Sequence, residues 1–394
     1  LLLAAIFLLS VLVGLLLMFG QQLIPESSVF LTTYQGAAVE SAWLVYRDTI
    51  QEDGRTIDRD RNYLTTSEGQ SYSLLRAVWM DDREIFDRVY KWTKNNLQKR
   101  EEDNLFHWLW GENASGRWGV LEEIGGRNTA ADADQDIALA LIFASERWND
   151  DYYLKQARQI LADIWAKEVI IIAGRPYLVA GNWAPGETRP TINPSYFSPA
   201  SYPIFAYYDP GHDWLGLKNT SYEILDKVTW QTLDKTSSVG LPPDWAGLDP
   251  LSAAVGPSIH PDKTTNFSDD AFRVLWRVAL DWQWHRDPRA KSYLDRLTFL
   301  AAEWEKHGQL YGTYTHDGRV IKQGESSSLY GALLAYFKIT KPDLAEEIYK
   351  KKITKLYNPD LENIRADLGY YPQNWVWFGM AFYADKLPDL SHLD

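Results

Sequence analysis

The feature that most constrains this chain is an almost unbroken succession of amphipathic, helix-compatible stretches. Apolar residues recur at helical spacing over Ala37–Thr49, Glu68–Met80, Arg83–Leu97, Ala131–Trp148 and Tyr152–Ala166. The pattern resumes over Tyr222–Leu233, Asp269–Trp284, Pro288–His307, Ser326–Phe337, Asp343–Lys351 and Asn374–Ala384, with Gly-, Pro- and Asn-rich loops between. In Ala131–Trp148 the residues Ile137, Ala138, Leu141, Ala144, Ser145 and Trp148 fall on one face. Two short β-hairpins are predicted within the series, Glu168–Gly181 turning near Ala173-Gly174 and Leu310–Lys322 turning at Asp317-Gly318. No linker, composition shift or fixed-period repeat breaks it, so a solenoid is not expected. So many helices in one all-α unit need a layered or closed arrangement that covers both faces of the inner ones. A toroid of six helical hairpins, an (α/α)6 barrel, meets that need; an irregular helical domain is the other arrangement.

Ahead of the helical series, Leu1 to Phe19 is apolar and free of charge, long enough to cross a bilayer as a helix. No small-residue cleavage pattern precedes Gln21, so residues 1–20 are read as an uncleaved signal anchor or transmembrane helix, with a cleaved signal peptide as the alternative. Residues 21–32 then form a tether and 33–390 one domain lying outside the cytoplasm, at the cell membrane as a single-pass protein.

A net charge of −13 excludes the basic surface that nucleic acid or an anionic lipid face would require. The absence of cysteine excludes disulfides, thiolate metal sites and a cysteine nucleophile. The spacing Asp132-x-Asp134-x-Asp136 imitates the opening of a calcium loop, but Ile137 stands where the loop needs glycine and Phe143 where it needs glutamate. His107 reads as a core or cleft residue, because catalytic zinc wants three protein ligands. No metal and no cofactor are expected. The 18 tryptophans and 23 tyrosines are another matter. Most serve a core, yet amphipathic rings in this number also suit a groove that stacks on the flat faces of sugars.

Three carboxylates share one context, a loop running into a helix. Glu68 sits in Thr65-Thr66-Ser67-Glu68-Gly69-Gln70-Ser71-Tyr72, where Thr65-x-x-Glu68 fits a capping box. On spacing alone the cap is the commoner explanation; desolvation at a buried helix start would instead raise the carboxyl toward a working general acid. Asp132 follows Asn128-Thr129-Ala130-Ala131, and Asp270 lies in Asn266-Phe267-Ser268-Asp269-Asp270-Ala271-Phe272-Arg273. Thr129-x-x-Asp132 and Asn266-x-x-Asp269 also read as caps, and the Asp269/Asp270 pair with Arg273 as a surface ion pair. In a toroid, three such carboxylates would converge on one end.

Ala131-Asp132-Ala133-Asp134-Gln135-Asp136-Ile137-Ala138, continuing to Trp148, resembles the signature of glycoside hydrolase family 8, in which Ser or Thr is usual at the place of Ala131. Thr66–Tyr72 is similar to the family's other hallmark. Trp108-Leu109-Trp110-Gly111, Asn193-Pro194-Ser195-Tyr196, Pro243-Asp244-Trp245 and Asp270-Ala271-Phe272-Arg273 match further blocks in the same order, over roughly Thr33 to Asp385. Within the family the resemblance is to the endo-β-1,4-glucanases that accompany bacterial cellulose synthesis. It implies an (α/α)6 barrel that cleaves internal β-1,4 bonds with inversion. Glu68 would be the general acid, Asp270 the general base, and Asp132 would hold a distorted sugar at the −1 subsite. Arg273 and Tyr196 would orient base and water, Trp108 or Trp110 would stack on sugars, and Tyr370-Tyr371 takes the place of a family tyrosine pair. Asp269 stands where relatives often carry tyrosine. The implied partners are a polysaccharide or oligosaccharide, the membrane through the N-terminal helix, and a polysaccharide synthase or export complex, the protein itself being a monomer. A xylanase, a mixed-linkage glucanase, an exopolysaccharide hydrolase and a catalytically silent, membrane-tethered glycan-binding protein are the alternatives.

Overall fold

The computed structural model describes residues 26–235, 237–358, 363–364 and 368–391. The expected anchor, residues 1–20, lies outside the described residues, and the stretch read as a tether is helical from Glu26 on. Among the described residues no helix is long and apolar enough to cross a membrane.

Two kinds of helix alternate along the chain. One kind is buried all round: α2 (Ser67–Trp79), α4 (Ala131–Trp148), α8 (Arg273–His285), α11 (Ser327–Thr340) and α13 (Tyr370–Tyr383), with every residue from Ala131 to Ser145 buried in α4. The short α6 (Tyr202–Tyr208) joins them. The other kind is amphipathic: α1 (Glu26–Arg47), α3 (Arg83–Asn96), α5 (Asp151–Glu168), α7 (Trp214–Trp230), α9 (Pro288–Arg296), α10 (Phe299–His307) and α12 (Pro342–Ile348). In α3 only Ile85, Phe86, Val89, Tyr90, Trp92 and Thr93 are buried, one stripe with a charged back. A helix buried on all sides needs neighbours on all sides, whereas a single stripe suits a position facing solvent. The contacts agree. α2 packs on α4, α8 on α11, α11 on α13 and α13 on α2, and each inner helix carries an outer partner. This arrangement fits an (α/α)6 barrel. Because the chain goes in by one helix and out by the next, the inner helices run parallel. Their N-termini share one end.

The inner ring is tight enough at one crossing to require glycine. A Cβ at Gly331 of α11 would lie 2.1 Å from the carbonyl oxygen of Trp375, and one at Gly379 of α13 would lie 2.0 Å from the Gly331 carbonyl oxygen. Both obstacles are backbone, so the helices would have to separate. Buried polar pairs tie other inner helices together. Arg277 of α8 forks onto Asp136 of α4 at 2.9 and 2.8 Å, one turn below the Arg273–Asp132 contact. Asp134 and Glu168 face each other with no exposure, and burial raises both carboxyls. His107 is held by the Arg127 carbonyl at 3.0 Å, a core role.

The helical stretches expected from periodicity are present with shifted ends. Pro288–His307 divides at Leu297-Thr298 into α9 and α10, α13 begins at Tyr370 rather than Asn374, and α7 begins at Trp214 rather than Tyr222. Both hairpins form, β4 (Val169–Ile172) with β5 (Arg175–Leu178) and β9 (Thr313–Tyr314) with β10 (Val320–Lys322). Ala173 and Gly174 both take positive φ, the condition for a tight two-residue turn. Periodicity gave no sign of two three-stranded sheets with strands of two to four residues: β1 (Thr65–Thr66), β2 (Leu109–Glu112), β3 (Trp118–Val120), and β6 (Thr191–Ile192), β7 (Ala246–Leu248), β8 (Val255–Gly256).

Gly379→Ala should lower stability by about 1–3 kcal/mol, the usual result of overpacking a filled core. Denaturant unfolding with an unchanged m-value would show it, and a surface control such as Gly186→Ala, where nothing lies within 4 Å, should be near neutral.

Candidate active site

At the N-terminal end of the inner helices, three carboxylates meet one guanidinium. Arg273, the first residue of α8, has no exposure. Its Nη1 donates to Glu68 Oε2 at 2.9 Å, to Asp132 Oδ2 at 2.8 Å and to the Tyr72 hydroxyl at 3.3 Å, and its Nη2 donates to Asp270. The Tyr196 ring lies 5.3 Å from its central carbon, so the planar cation is ringed by acceptors at its edge and covered by an aromatic face.

The helix starts that deliver these groups differ from the caps expected. Thr66, not Thr65, is the N-cap of α2 and accepts from the Gly69 amide at 3.0 Å; Thr65 instead donates to the Thr56 carbonyl. No capping box forms. Glu68 is therefore free of the helix backbone and turns to Arg273 and to Tyr370, whose hydroxyl donates to Oε1 at 2.7 Å. At α4 the N-cap is Ala130, and Thr129 donates to Glu168 rather than capping with Asp132. Asp132 Oδ1 is left buried with no hydrogen-bond partner. Asp270 precedes α8 in a turn rather than lying in its first turn, and the expected Asn266 cap is replaced by Asp244. Asp244 accepts from the amides of Ser268 at 3.0 Å and Ala271 at 2.8 Å and from the Ser268 hydroxyl. Tyr371 donates to the Asp269 carbonyl from the other side.

One guanidinium cannot balance three carboxylates, so protonation must make up the difference. Burial pushes the Glu68 carboxyl up to about 7; Arg273 opposes the rise, while the charges of Asp132 and Asp270 add to it. Asp132 is also raised by burial, with Arg273 and Arg277 opposing. Asp244 rises to about 7 through burial and the neighbouring charge of Asp270. Glu68 keeps 21% of its side chain exposed and Asp132 only 3%, so Glu68 is the better placed to pass a proton.

Two cavities flank this cluster. One, of 540 Å³, is lined by Glu68, Asp269, Asp270, Lys322, Tyr370 and Tyr371 among others. The other, of 470 Å³, is lined by Trp108, Trp183, Tyr196, Trp245, His260 and Lys263 among others. Trp108 and Tyr196 thus line the aromatic cavity, and Tyr370 and Tyr371 the polar one. Trp110 does not: it packs against Trp92 and Trp118 and lines neither cavity. Tyr72, Asp244, Trp183 and Lys263 join the site unannounced. Tyr72 and Asp244 were inside quoted motifs without a role, and Trp183 and Lys263 come from loops with no periodic signal. Among the described residues no group of three or more His, Asp or Glu side chains could hold a metal ion.

The family model for glycosyl hydrolases family 8 matches residues 24–350. The chain belongs to that family. Endoglucanase A of Acetivibrio thermocellus is 32% identical over 301 residues, covering 75% of this chain and 58% of that protein. The Escherichia coli K12 endoglucanase is 32% identical over 279 residues, covering 70% of this chain and 71% of that one. The chain spans about half the length of some curated family relatives, as with endoglucanase C of Ruminiclostridium cellulolyticum, of which 48% is covered. The crystal structure of an endo-1,4-D-glucanase from Vibrio fischeri ES114 superposes with a TM-score of 0.72 at 25% identity, over 87% of this chain and 94% of that one. Family 8 membership accords with a cleft lined by carboxylates and aromatic rings.

Asp244→Ala should release the Asp269–Asp270 turn and lower kcat by about a hundredfold while changing KM little, since a misplacement of about 1 Å has that effect. Asp244→Asn, which keeps an acceptor for both amides, should retain most of the activity.

Proposed function

We propose that this chain hydrolyses internal β-1,4-glycosidic bonds of a β-glucan, with inversion at the anomeric carbon. The observation that carries the reading is the placement of Glu68 and Asp270 on one cavity wall, joined through opposite nitrogens of Arg273, with the Glu68 carboxyl pushed up to about 7. The relatives named endoglucanases support a β-glucan as the substrate.

In this mechanism protonated Glu68 gives its proton to the glycosidic oxygen as the bond to the anomeric carbon breaks. Asp270 takes a proton from the water that attacks the opposite face. No covalent intermediate forms, and each carboxyl exchanges its proton with solvent before the next cycle. Arg273 is a positioning residue that holds the acid, the base and Asp132 through its two terminal nitrogens. The unpartnered Oδ1 of Asp132 is an acceptor for a hydroxyl of the sugar being cleaved. Tyr370 orients Glu68 through Oε1, leaving the reacting proton to be carried on the side facing the cavity. Trp108 and Tyr196 supply apolar faces for sugar rings, which bury surface and fix the polymer's direction.

The catalytic unit is assigned to residues 33–390, with 21–32 as a tether and 1–20 as an anchor that would hold the unit at the outer face of a membrane, beside a polysaccharide synthase or export complex. The uncharged run Leu1–Phe19 supports that placement. Recovery of most activity as released enzyme in the medium would overturn it.

Glu68→Gln should lower kcat by about 10²–10⁴-fold and leave oligosaccharide binding intact, because it removes the proton but keeps the shape. In the wild type, activity should fall as pH rises through about 7: the raised Glu68 carboxyl is protonated below that value and loses its proton above it. NMR of fresh product should show the α-anomer first, and an initial β-anomer would overturn inversion. A panel of β-glucan, xylan and chitosan would separate the substrate classes.

A further inference from the structure

The tryptophan that the cleft does not use is part of a second structure on the surface. Trp110 of β2 lies 5.3 Å from Trp118 of β3, ring centroid to ring centroid, with 35° between planes. The Arg55 guanidinium sits over both, 5.0 Å from Trp110 and 4.8 Å from Trp118. No carboxylate lies within salt-bridge distance of it in the described residues, and Nη1 donates to the Tyr63 carbonyl at 3.4 Å. Of the 18 tryptophans, Trp118 alone is exposed, at 46%. Tyr63, at a left-handed turn with φ of 59°, is 54% exposed. Leaving an indole and a phenol in water gains nothing for folding, and a cation clamp that holds the indole in place adds order without burial.

The platform is joined to the cleft through β2, which Trp108 of the aromatic cavity directly precedes. In β2 the residues Leu109 and Gly111 turn inward, onto Leu64 and Leu121 at Gly111, so Trp110 and Glu112 lie on the other face, and Trp108 is in phase with them. Trp108 lines the aromatic cavity, and the Trp118 position, opposite Glu112, shares the face of Trp110. β1, paired with β2 through Thr65 and Trp110, runs directly into Glu68. A polymer leaving the cleft along this strand would meet two indoles with a guanidinium seated over both. That combination, stacking surface plus a donor able to reach hydroxyls, suits a neutral sugar chain.

We propose that Arg55, Trp110 and Trp118 form a second glycan-binding site, which holds a β-glucan segment outside the catalytic cleft. The proposal rests on the β-glucan reading given above. It implies that the site acts on long chains and is invisible to short ones.

The test compares wild type with Trp118→Ala, and Glu68→Gln with the double variant carrying both changes. Retardation of the two Glu68→Gln proteins in gels containing a long soluble β-1,4-glucan reads binding without cleavage. Hydrolysis of a short β-1,4-linked glucose oligomer by the two active proteins reads the cleft. Loss of Trp118 should weaken polymer binding about five-fold, the range of one aromatic contact, and leave kcat/KM on the oligomer within about two-fold. Equal retardation of the two Glu68→Gln proteins would overturn the second site while leaving the catalytic reading intact. An equal loss on polymer and oligomer would overturn it too, placing Trp118 in the cleft itself. Failure of the wild type to cleave either glucan would instead sink the underlying reading, and the proposal with it.

Discussion

The Arg273 guanidinium is the constraint on which the rest of the site depends. It is fully buried, and a buried cation is tolerable only with partners in good geometry. Those partners come from α2, α4 and the turn before α8, elements far apart in the chain that only the closed inner ring brings together. Removing the cation would leave three carboxylates facing one another across a cleft. The interaction is thus both a fold contact and the electrostatic frame of the chemistry. The Arg277–Asp136 fork one turn deeper is bidentate and buried, and it ties α4 to α8. The two rungs differ in one respect. Asp136 gives both its oxygens to arginine, while Asp132 gives one and keeps the other unpartnered.

Periodicity made the helices legible because burial acts on whole faces. It could not fix their ends, which hydrogen bonds decide. Thr65 and Thr66 are both good caps, and spacing to Glu68 favoured the first. What selects the second is tertiary: Thr65 pairs with Trp110 in a strand two residues long, too short to leave an alternating pattern. The same limit applies at Asp270. A carboxylate 26 residues upstream, Asp244, takes the amides that a local cap would have taken, and α8 starts three residues later than the acid. That shift is what frees Asp270 from the helix and turns it into the cavity.

Motif order singled out Glu68, Asp132 and Asp270 together where no single spacing rule did, and the three meet at Arg273. It said nothing about orientation. Trp108 and Trp110 belong to one motif and are equivalent by composition. Trp108, just ahead of β2, lines the cavity, and Trp110, inside the paired strand, lies beside Trp118 and under Arg55. Trp183 and Lys263 could not have been singled out at all. They lie in irregular loops, and their relation, a lysine ammonium 5.5 Å from one indole and 4.9 Å from that of Trp245, exists only in space.

The two cavities beside the carboxylates differ in chemistry, and the difference follows from what builds them. The aromatic one is walled by loops between inner and outer helices, which bring Trp108, Trp183 and Trp245 to its lining, Trp183 packing on the core behind it. The polar one is closed by the β9–β10 hairpin, which contributes Lys322 and a run of Gln323, Gly324, Glu325 and Ser326 with no large ring. Asp269 adds a carboxylate there, raised by burial and by Asp270. In the proposed reaction, indole stacking would therefore be concentrated on one side of the bond to be cut. On the other side the rings of Tyr370 and Tyr371 and hydrogen bonds to hydroxyls would serve, and the hydrogen bonds yield little net free energy in exchange with water. A sugar chain should be gripped on the aromatic side and released from the polar one, which gives the cleft a direction that its three carboxylates alone do not have.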